Sequence, residues 1–101
     1  MNYSITEIYN VLDVTGGHIL DEDAIVSKLL TDSRSLTQPD ETIFFALRTD
    51  AGDGHNYIPD LFGKGVRNFV VSSDYFPLPE CAGANYIAVP SPLDADRKSV
   101  V

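Results

Sequence analysis

The chain has 101 residues, 44% of them hydrophobic, and a formal net charge of −8. That length suits one small domain with its own core, and no stretch approaches the roughly 20 apolar residues of a membrane-spanning helix. The acidic balance argues against a nucleic-acid or anionic-membrane binder, because both need basic surface; its plainest use is solubility. Cys81 is the only cysteine, so no internal disulfide can form, and Met1-Asn2-Tyr3-Ser4 lacks the basic and apolar regions of a signal peptide. Both features favour the cytoplasm.

Ser4-Ile5-Thr6-Glu7 has capping-box spacing, with Ser4 accepting from the Glu7 N–H. Ile5, Ile8, Tyr9 and Leu12 then recur at helical spacing, which predicts a helix from Ile5 to Leu12. Gly16-Gly17 reads as the end of that unit, His18-Ile19-Leu20 as a short strand, and Asp21-Glu22-Asp23 as a solvated acidic turn. Ala24 to Thr31, rich in β-branched and apolar residues, reads as one strand. Gln38-Pro39-Asp40 marks a loop from Ser35 to Glu41. Thr42 to Leu47 is a near-continuous apolar run, as expected of a strand buried on both faces.

Arg48 to Gly54 reads as a polar, glycine-containing loop. A helix follows, with Asn56 as N-cap, Pro59 in the first turn, Tyr57, Ile58, Leu61 and Phe62 on one face, and Gly63 and Gly65 as the stop. Arg67 to Ser72 and Asn85 to Val89 read as two more strands. Phe76-Pro77-Leu78-Pro79 is incompatible with regular structure, and Pro90-Ser91-Pro92 can begin a helix. Helices interleaved with apolar strands give the α/β class: a small mixed or mostly parallel sheet flanked by helices, in a single domain. Thr42–Ser72 fits one βαβ crossover.

Several chemistries are missing. The chain has no phosphate-binding Gly-x-x-x-x-Gly-Lys-Ser/Thr, no Gly-x-Gly-x-x-Gly, and no Gly-x-Ser-x-Gly around Ser33. His18 and His55 are too few and too far apart for a zinc site. Asp21, Glu22 and Asp23 are three carboxylates at a turn, a pattern that is usually solvated. Neither a catalytic residue nor a metal ligand is assigned.

Two polar segments stand where strands are expected to stop, the usual place for ligand groups in α/β proteins. In Thr31-Asp32-Ser33-Arg34, Asp32 can close a turn, Ser33 offers a hydroxyl, and Arg34 offers a planar fork suited to phosphate or carboxylate. The ordinary alternative is an Asx-type turn with an internal Asp–Arg pair. In Asp53-Gly54-His55, Gly54 permits a close backbone approach and Asp53 favours the positive end of a helix dipole. There the alternative is a helix start and nothing else. The preceding Thr49-Asp50-Ala51-Gly52 has small residues and N–H groups able to wrap a flat base or sugar.

Thr31-Asp32-Ser33-Arg34, then Phe44-Phe45-Ala46-Leu47, Asp53-Gly54-His55-x-Tyr57-Ile58, Gly65-Val66 and a Phe-Val-Val strand together resemble the N-terminal domain of the Mur ligases. These are the cytoplasmic, ATP-dependent amide ligases of bacterial peptidoglycan synthesis. The likeness covers Ser4 to Leu93. It is nearest to the branch that adds D-alanyl-D-alanine to UDP-N-acetylmuramoyl-tripeptide, with the branch adding the third peptide residue as the alternative. The Phe-Phe-Ala-Leu-x-Thr wording is similar to forms fused to alanine racemase.

The resemblance implies a non-catalytic domain that holds the UDP end of a UDP-N-acetylmuramoyl-peptide. Ser33 would contact the nucleotide, Thr31 would contact it through its backbone, Asp50, Ala51 and Gly52 would lie along the uridine, and Arg34 would sit near the diphosphate. It also implies central and C-terminal domains elsewhere in a parent enzyme, with ATP and magnesium bound there. Pyridoxal phosphate would enter only with a racemase domain. Many family members have glycine where this chain has Thr49, which affects the path of the loop. Asp94 to Val101 stand where the family continues toward its ATP domain, so the chain reads as an excised or truncated domain. The alternative from another class is a protein-interaction module that keeps the fold without the ligand.

Overall fold

The computed structural model describes residues 3–32, 34, 36–50, 52–75 and 79–98. In chain order, β1 (Tyr3–Ser4) leads into α1 (Ile5–Val11), followed by β2 (Gly16–His18), β3 (Ile25–Val26), β4 (Lys28–Leu30) and β5 (Thr42–Phe45). Then come β6 (Arg48–Thr49), β7 (Gly52–Asp53), α2 (Ile58–Gly63), β8 (Asn68–Ser72), β9 (Asn85–Val89) and α3 (Pro92–Lys98). Short 3-10 turns cover Pro39–Glu41, Gly54–Tyr57 and Pro79–Cys81.

The main sheet has five strands in the order β2-β9-β8-β5-β4. The pairs β4–β5, β5–β8 and β8–β9 are parallel, and β2 closes one edge antiparallel to β9. This is the expected α/β class with a mostly parallel sheet, and β5–α2–β8 forms the expected βαβ unit. Every residue of β5, β8 and β9 is buried. Alternation along β5 explains why. Phe44 points into a cluster with Ile58 and Leu61 of α2, while Ile43 and Phe45 point into another with Ile5 and Ile8 of α1 and Ala95 of α3. A strand covered by helices on both faces has no polar side to show in its sequence.

Phe44, Phe69 and Tyr86 are register partners on three adjacent strands. Phe44 meets Phe69 edge-on with ring centroids 6.4 Å apart, and Phe69 stacks on Tyr86 at 5.3 Å. Both are favoured aromatic geometries across a sheet. The Tyr86 hydroxyl donates to the Cys81 carbonyl at 2.6 Å, so its one polar atom is satisfied inside the core. Cys81 is itself buried, and that burial pushes its thiol above its ordinary value.

Helix boundaries follow the sequence closely at two places. Ser4 caps α1 by accepting from the Glu7 N–H at 3.2 Å. At the end of α2, the Gly65 N–H donates to Phe62 O at 3.1 Å and the Val66 N–H to Leu61 O at 3.0 Å, which is a Schellman stop.

Elsewhere the structure corrects the expectations. The run 24–31 is two strands: β3 pairs antiparallel with β1, β4 pairs parallel with β5, and between them the Ser27 N–H donates to Glu41 O. A change of partner leaves no mark in an apolar run. Gly16-Gly17 lies inside β2, and the strand ends at His18 instead of continuing to Leu20. A 3-10 turn, Gly54–Tyr57, precedes α2; Asp53 caps that turn by accepting from the His55 N–H, while α2 starts after Tyr57 with no side-chain cap, so Asn56 is not its N-cap. Pro79 opens a 3-10 turn, while 76–78 lie outside the described residues. Among the described residues no helix is long and apolar enough to cross a membrane.

Candidate functional site

Parallel strands deliver their following loops to one end of a sheet, which is what brings the two polar segments together. Leu30 of β4 and Phe44 of β5 are register partners. Thr31 to Arg34 therefore leaves the sheet beside the segment that leaves β5, at the same carboxyl end. Thr31 is exposed. Ser33 and Ala51, both predicted nucleotide contacts, lie outside the described residues.

Arg34 is tied to Asp32. Its backbone N–H donates to Asp32 Oδ1 at 3.0 Å, its Nε to the same oxygen at 3.1 Å, and its Nη2 to Oδ2 at 3.0 Å. This is the Asx-type turn with an internal ion pair, and the fork faces a carboxylate. The side-chain hydrogen bond from Arg34 is the main cause that holds the Asp32 carboxyl below its ordinary value.

The segment 48–53, expected as a loop, is a small antiparallel hairpin in which Arg48 faces Asp53 and Thr49 faces Gly52. Asp50 and Gly52 are exposed, and among the described residues none but Gly52's own chain neighbours comes within 4 Å of where its Cβ would stand. The base of the hairpin is closely packed. Gly54 N–H donates to Leu47 O at 2.7 Å, so close that a Cβ on Gly54 would lie 2.9 Å from the Leu47 nitrogen.

His55 is only 5% exposed and joins the hairpin to the neighbouring strand. Its Nε2 accepts from the Ser72 N–H at 3.0 Å. A backbone N–H can only donate, so the ring proton sits on Nδ1, which donates to Asp53 Oδ1 at 2.6 Å. Asp53 Oδ1 also takes the His55 N–H at 3.0 Å, and Oδ2 takes Arg48 Nε at 3.2 Å. Arg48 Nη1 reaches Ser72 Oγ at 3.2 Å and Asp74 Oδ1 at 3.0 Å. Arg48, Ser72 and Asp74 were not singled out by sequence reasoning. A cross-strand Arg–Asp pair around a glycine-containing turn would have been the signal for Arg48; nothing local points to Asp74.

The titration of Asp53 reports this network. Burial is the largest single influence and pushes its carboxyl up. Hydrogen bonds from the His55 N–H and ring and from Arg48 outweigh it together and hold the group below its ordinary 3.8. With a folded value below the unfolded one, the stabilisation is complete above pH 3.8 and is lost as pH falls through the lowered value. An NMR titration of the Asp53 carboxyl carbon should therefore show its midpoint below 3.8. A midpoint at or above that value would mean that the hydrogen bonds do not persist in solution.

Another cleft lies at the opposite end of the sheet. A cleft of about 400 Å³ opens at the amino ends of β5, β8 and β9, lined by Asp21, Asp40, Glu41, Arg67, Asn68 and Asn85 among others. Its amides are already used. Asn85 accepts from the Leu20 and Asp21 N–H groups and donates to Asp21 O and Asn68 Oδ1, which exhausts its hydrogen-bonding capacity. Among the described residues no group of three His, Cys, Asp or Glu side chains could hold a metal ion.

No protein-family model matches the chain, and no curated protein matches it by sequence. Solved structures do. MurF from Acinetobacter baumannii superposes with a TM-score of 0.74 in one crystal structure and 0.75 in another, at 19% identity, over 94% of this chain and 19% of that one. A structure of the UDP-N-acetylmuramoylalanyl-D-glutamyl-2,6-diaminopimelate–D-alanyl-D-alanyl ligase from the same organism gives a TM-score of 0.74 at 19% identity, covering 94% of this chain and 20% of that one. The chain spans about a fifth of the length of these enzymes, and what it shares with that fifth is the fold.

Proposed function

We propose that this chain is the part of a peptidoglycan ligase that recognises the UDP end of a UDP-N-acetylmuramoyl-peptide, acting in the cytoplasm and performing no ligation itself. The observation that carries the reading is the fold shared with MurF over 94% of the chain, in a chain whose neighbouring parallel strands β4 and β5 lead at one end into Thr31-Asp32 and into the hairpin 48–53. Thr31 and Ser33 would meet the nucleotide from the β4 side. Asp50, Ala51 and Gly52 would lie along the uridine from the hairpin. Arg34 would offer its fork to the diphosphate in exchange for Asp32, a trade of one anion for another that an acidic protein can make locally. ATP and magnesium belong, in this reading, to other domains of the parent enzyme.

Titration with UDP tests the reading. Amide resonances of Thr31, Arg34, Asp50 and Gly52 should shift at millimolar ligand, while those at the Asn68–Asn85 end stay put. If those four do not move, the site is wrong, and an interaction module on the same fold becomes the better description.

A further inference from the structure

Asp53-Gly54 is the only place in the chain where an acid or an amide side chain stands directly before glycine. Such a dipeptide is prone to rearrange, because glycine puts no side chain in the way of its own backbone nitrogen. The Gly54 nitrogen attacks Asp53 Cγ, water leaves, and a five-membered imide forms. Water then re-enters at either imide carbonyl. Entry at the former side-chain carbonyl restores aspartate. Entry at the former backbone carbonyl leaves the chain running through Cγ, an isoaspartate with one extra backbone carbon and no change in mass.

The fold requires both residues. A Cβ on Gly54 would lie 2.9 Å from the Leu47 nitrogen and 3.2 Å from Ala46 Cα, both of them backbone atoms. Asp53 caps the following turn and takes the buried ring of His55. The same contacts oppose each step of ring closure. The attacking nitrogen is engaged, since the Gly54 N–H donates to Leu47 O at 2.7 Å. The carboxylate is engaged at both oxygens: Oδ1 by the His55 N–H and Nδ1, and Oδ2 by Arg48 Nε. Burial pushes this carboxyl up, but the hydrogen bonds outweigh it and keep the group ionised, the form less open to attack. The backbone is also turned away. Asp53 has ψ of 115°, and closure needs the Gly54 nitrogen swung round beside Cβ.

We propose that Asp53-Gly54 is a latent isoaspartate site that the folded hairpin base holds shut, with Arg48 and His55 as the side chains that hold it, and that it reacts only where the base has opened. Its rate then follows the open population and not the lability of the dipeptide. The inserted carbon displaces the carboxylate from the His55 N–H and ring, so a base that has reacted cannot rebuild its contacts. None of this depends on what the chain binds.

Ageing the whole chain at physiological temperature and neutral pH, with isoaspartate at position 53 counted by peptide mapping, tests the proposal. The folded chain should accumulate it at least about tenfold more slowly than the chain in concentrated guanidinium chloride. Arg48→Gln removes the partner of Oδ2 at a half-exposed position, so the variant should melt within a few degrees of the parent. Folded, it should isomerise about two- to fivefold faster than the parent; unfolded, the two should react alike. Equal rates in the folded and unfolded parent overturn the proposal, and so does a folded Arg48→Gln that reacts no faster than the parent.

Discussion

Gly17→Ala is expected to destabilise the domain by about 2–4 kcal/mol, lowering its melting temperature by about 10–20 °C. Gly17 sits in β2 with φ of 111°, opposite Ile87 of β9. A Cβ there would fall inside contact distance of the Tyr86 carbonyl oxygen and 2.9 Å from the Ala88 nitrogen. These are backbone atoms of a central, fully buried strand, so they cannot rotate aside. The edge strand has to move instead. Once β2 lifts, its hydrogen bonds to β9 are lost, together with that from the Thr15 N–H to Ala88 O at 2.8 Å. Gly16→Ala is the control. Its Cβ would meet only the Ala88 Cβ, at 4.0 Å, and φ is not positive there. Thermal melts of the two variants should differ by most of the Gly17 effect. If Gly17→Ala melts like Gly16→Ala, the antiparallel closure by β2 is misplaced.

That glycine pair also shows where sequence reading reaches its limit. Read locally, Gly16-Gly17 is a breaker. It lies in a strand because β9 approaches closely, and β9 begins nearly seventy positions later. Elements whose cause is local were legible. Ser4 is the right type at the right spacing to cap α1, the continuous apolar run 42–47 could only be a strand covered on both faces, and Gly65 closes α2. Elements whose cause is a distant partner were not. The break at Ser27 exists because β1 and β5 each claim part of one apolar run. Asn56, expected as the cap of α2, lies inside a 3-10 turn ahead of that helix, and Asp53 caps the turn instead.

The candidate site divides in the same way. Thr31 and Arg34 stand just past the end of β4, where the apolar run 24–31 gives out. The hairpin base was visible only as Asp53-Gly54-His55, with its two readings open. In the structure, the helix-start reading is true but incomplete. Asp53 does cap the turn, and the same oxygen also receives the ring of a buried histidine that pins β8. The third party to that arrangement, Ser72, is a strand residue with nothing in its neighbourhood to mark it. Asp74 is an exposed acid among fifteen acidic residues. A side chain of that kind gains meaning only from what the fold sets in front of it, here the Arg48 guanidinium.

Asn85→Leu is expected to be comparably damaging, at about 2–4 kcal/mol, for a reason that can be read bond by bond. Asn85 is 2% exposed and begins β9 beside its register partner Asn68. The N–H groups of Leu20 and Asp21 can only donate, and they point at one atom, at 2.8 and 2.9 Å; that atom is Oδ1. Nδ2 must then face Asp21 O and Asn68 Oδ1, and Asn68 in turn directs its own Nδ2 to Thr42 O. The amides form a one-way ladder from the 20–21 turn across β9 and β8 to β5. Leucine fills the space and leaves the ladder without its first rung. Asn85→Asp should be no milder, although it keeps the shape and both accepted bonds. Its second oxygen would face two acceptors, and flipping Asn68 to help would only set Asn68 Oδ1 against Thr42 O. The double variant Asn68→Leu/Asn85→Leu should cost less than the sum of the single ones by about 1 kcal/mol or more, since each single change strands a partner that the double change removes. Urea unfolding of the three variants measures this coupling directly. Additive costs would mean that the two amides do not meet, and a single Asn85→Leu as stable as the parent would mean that the ladder does not form.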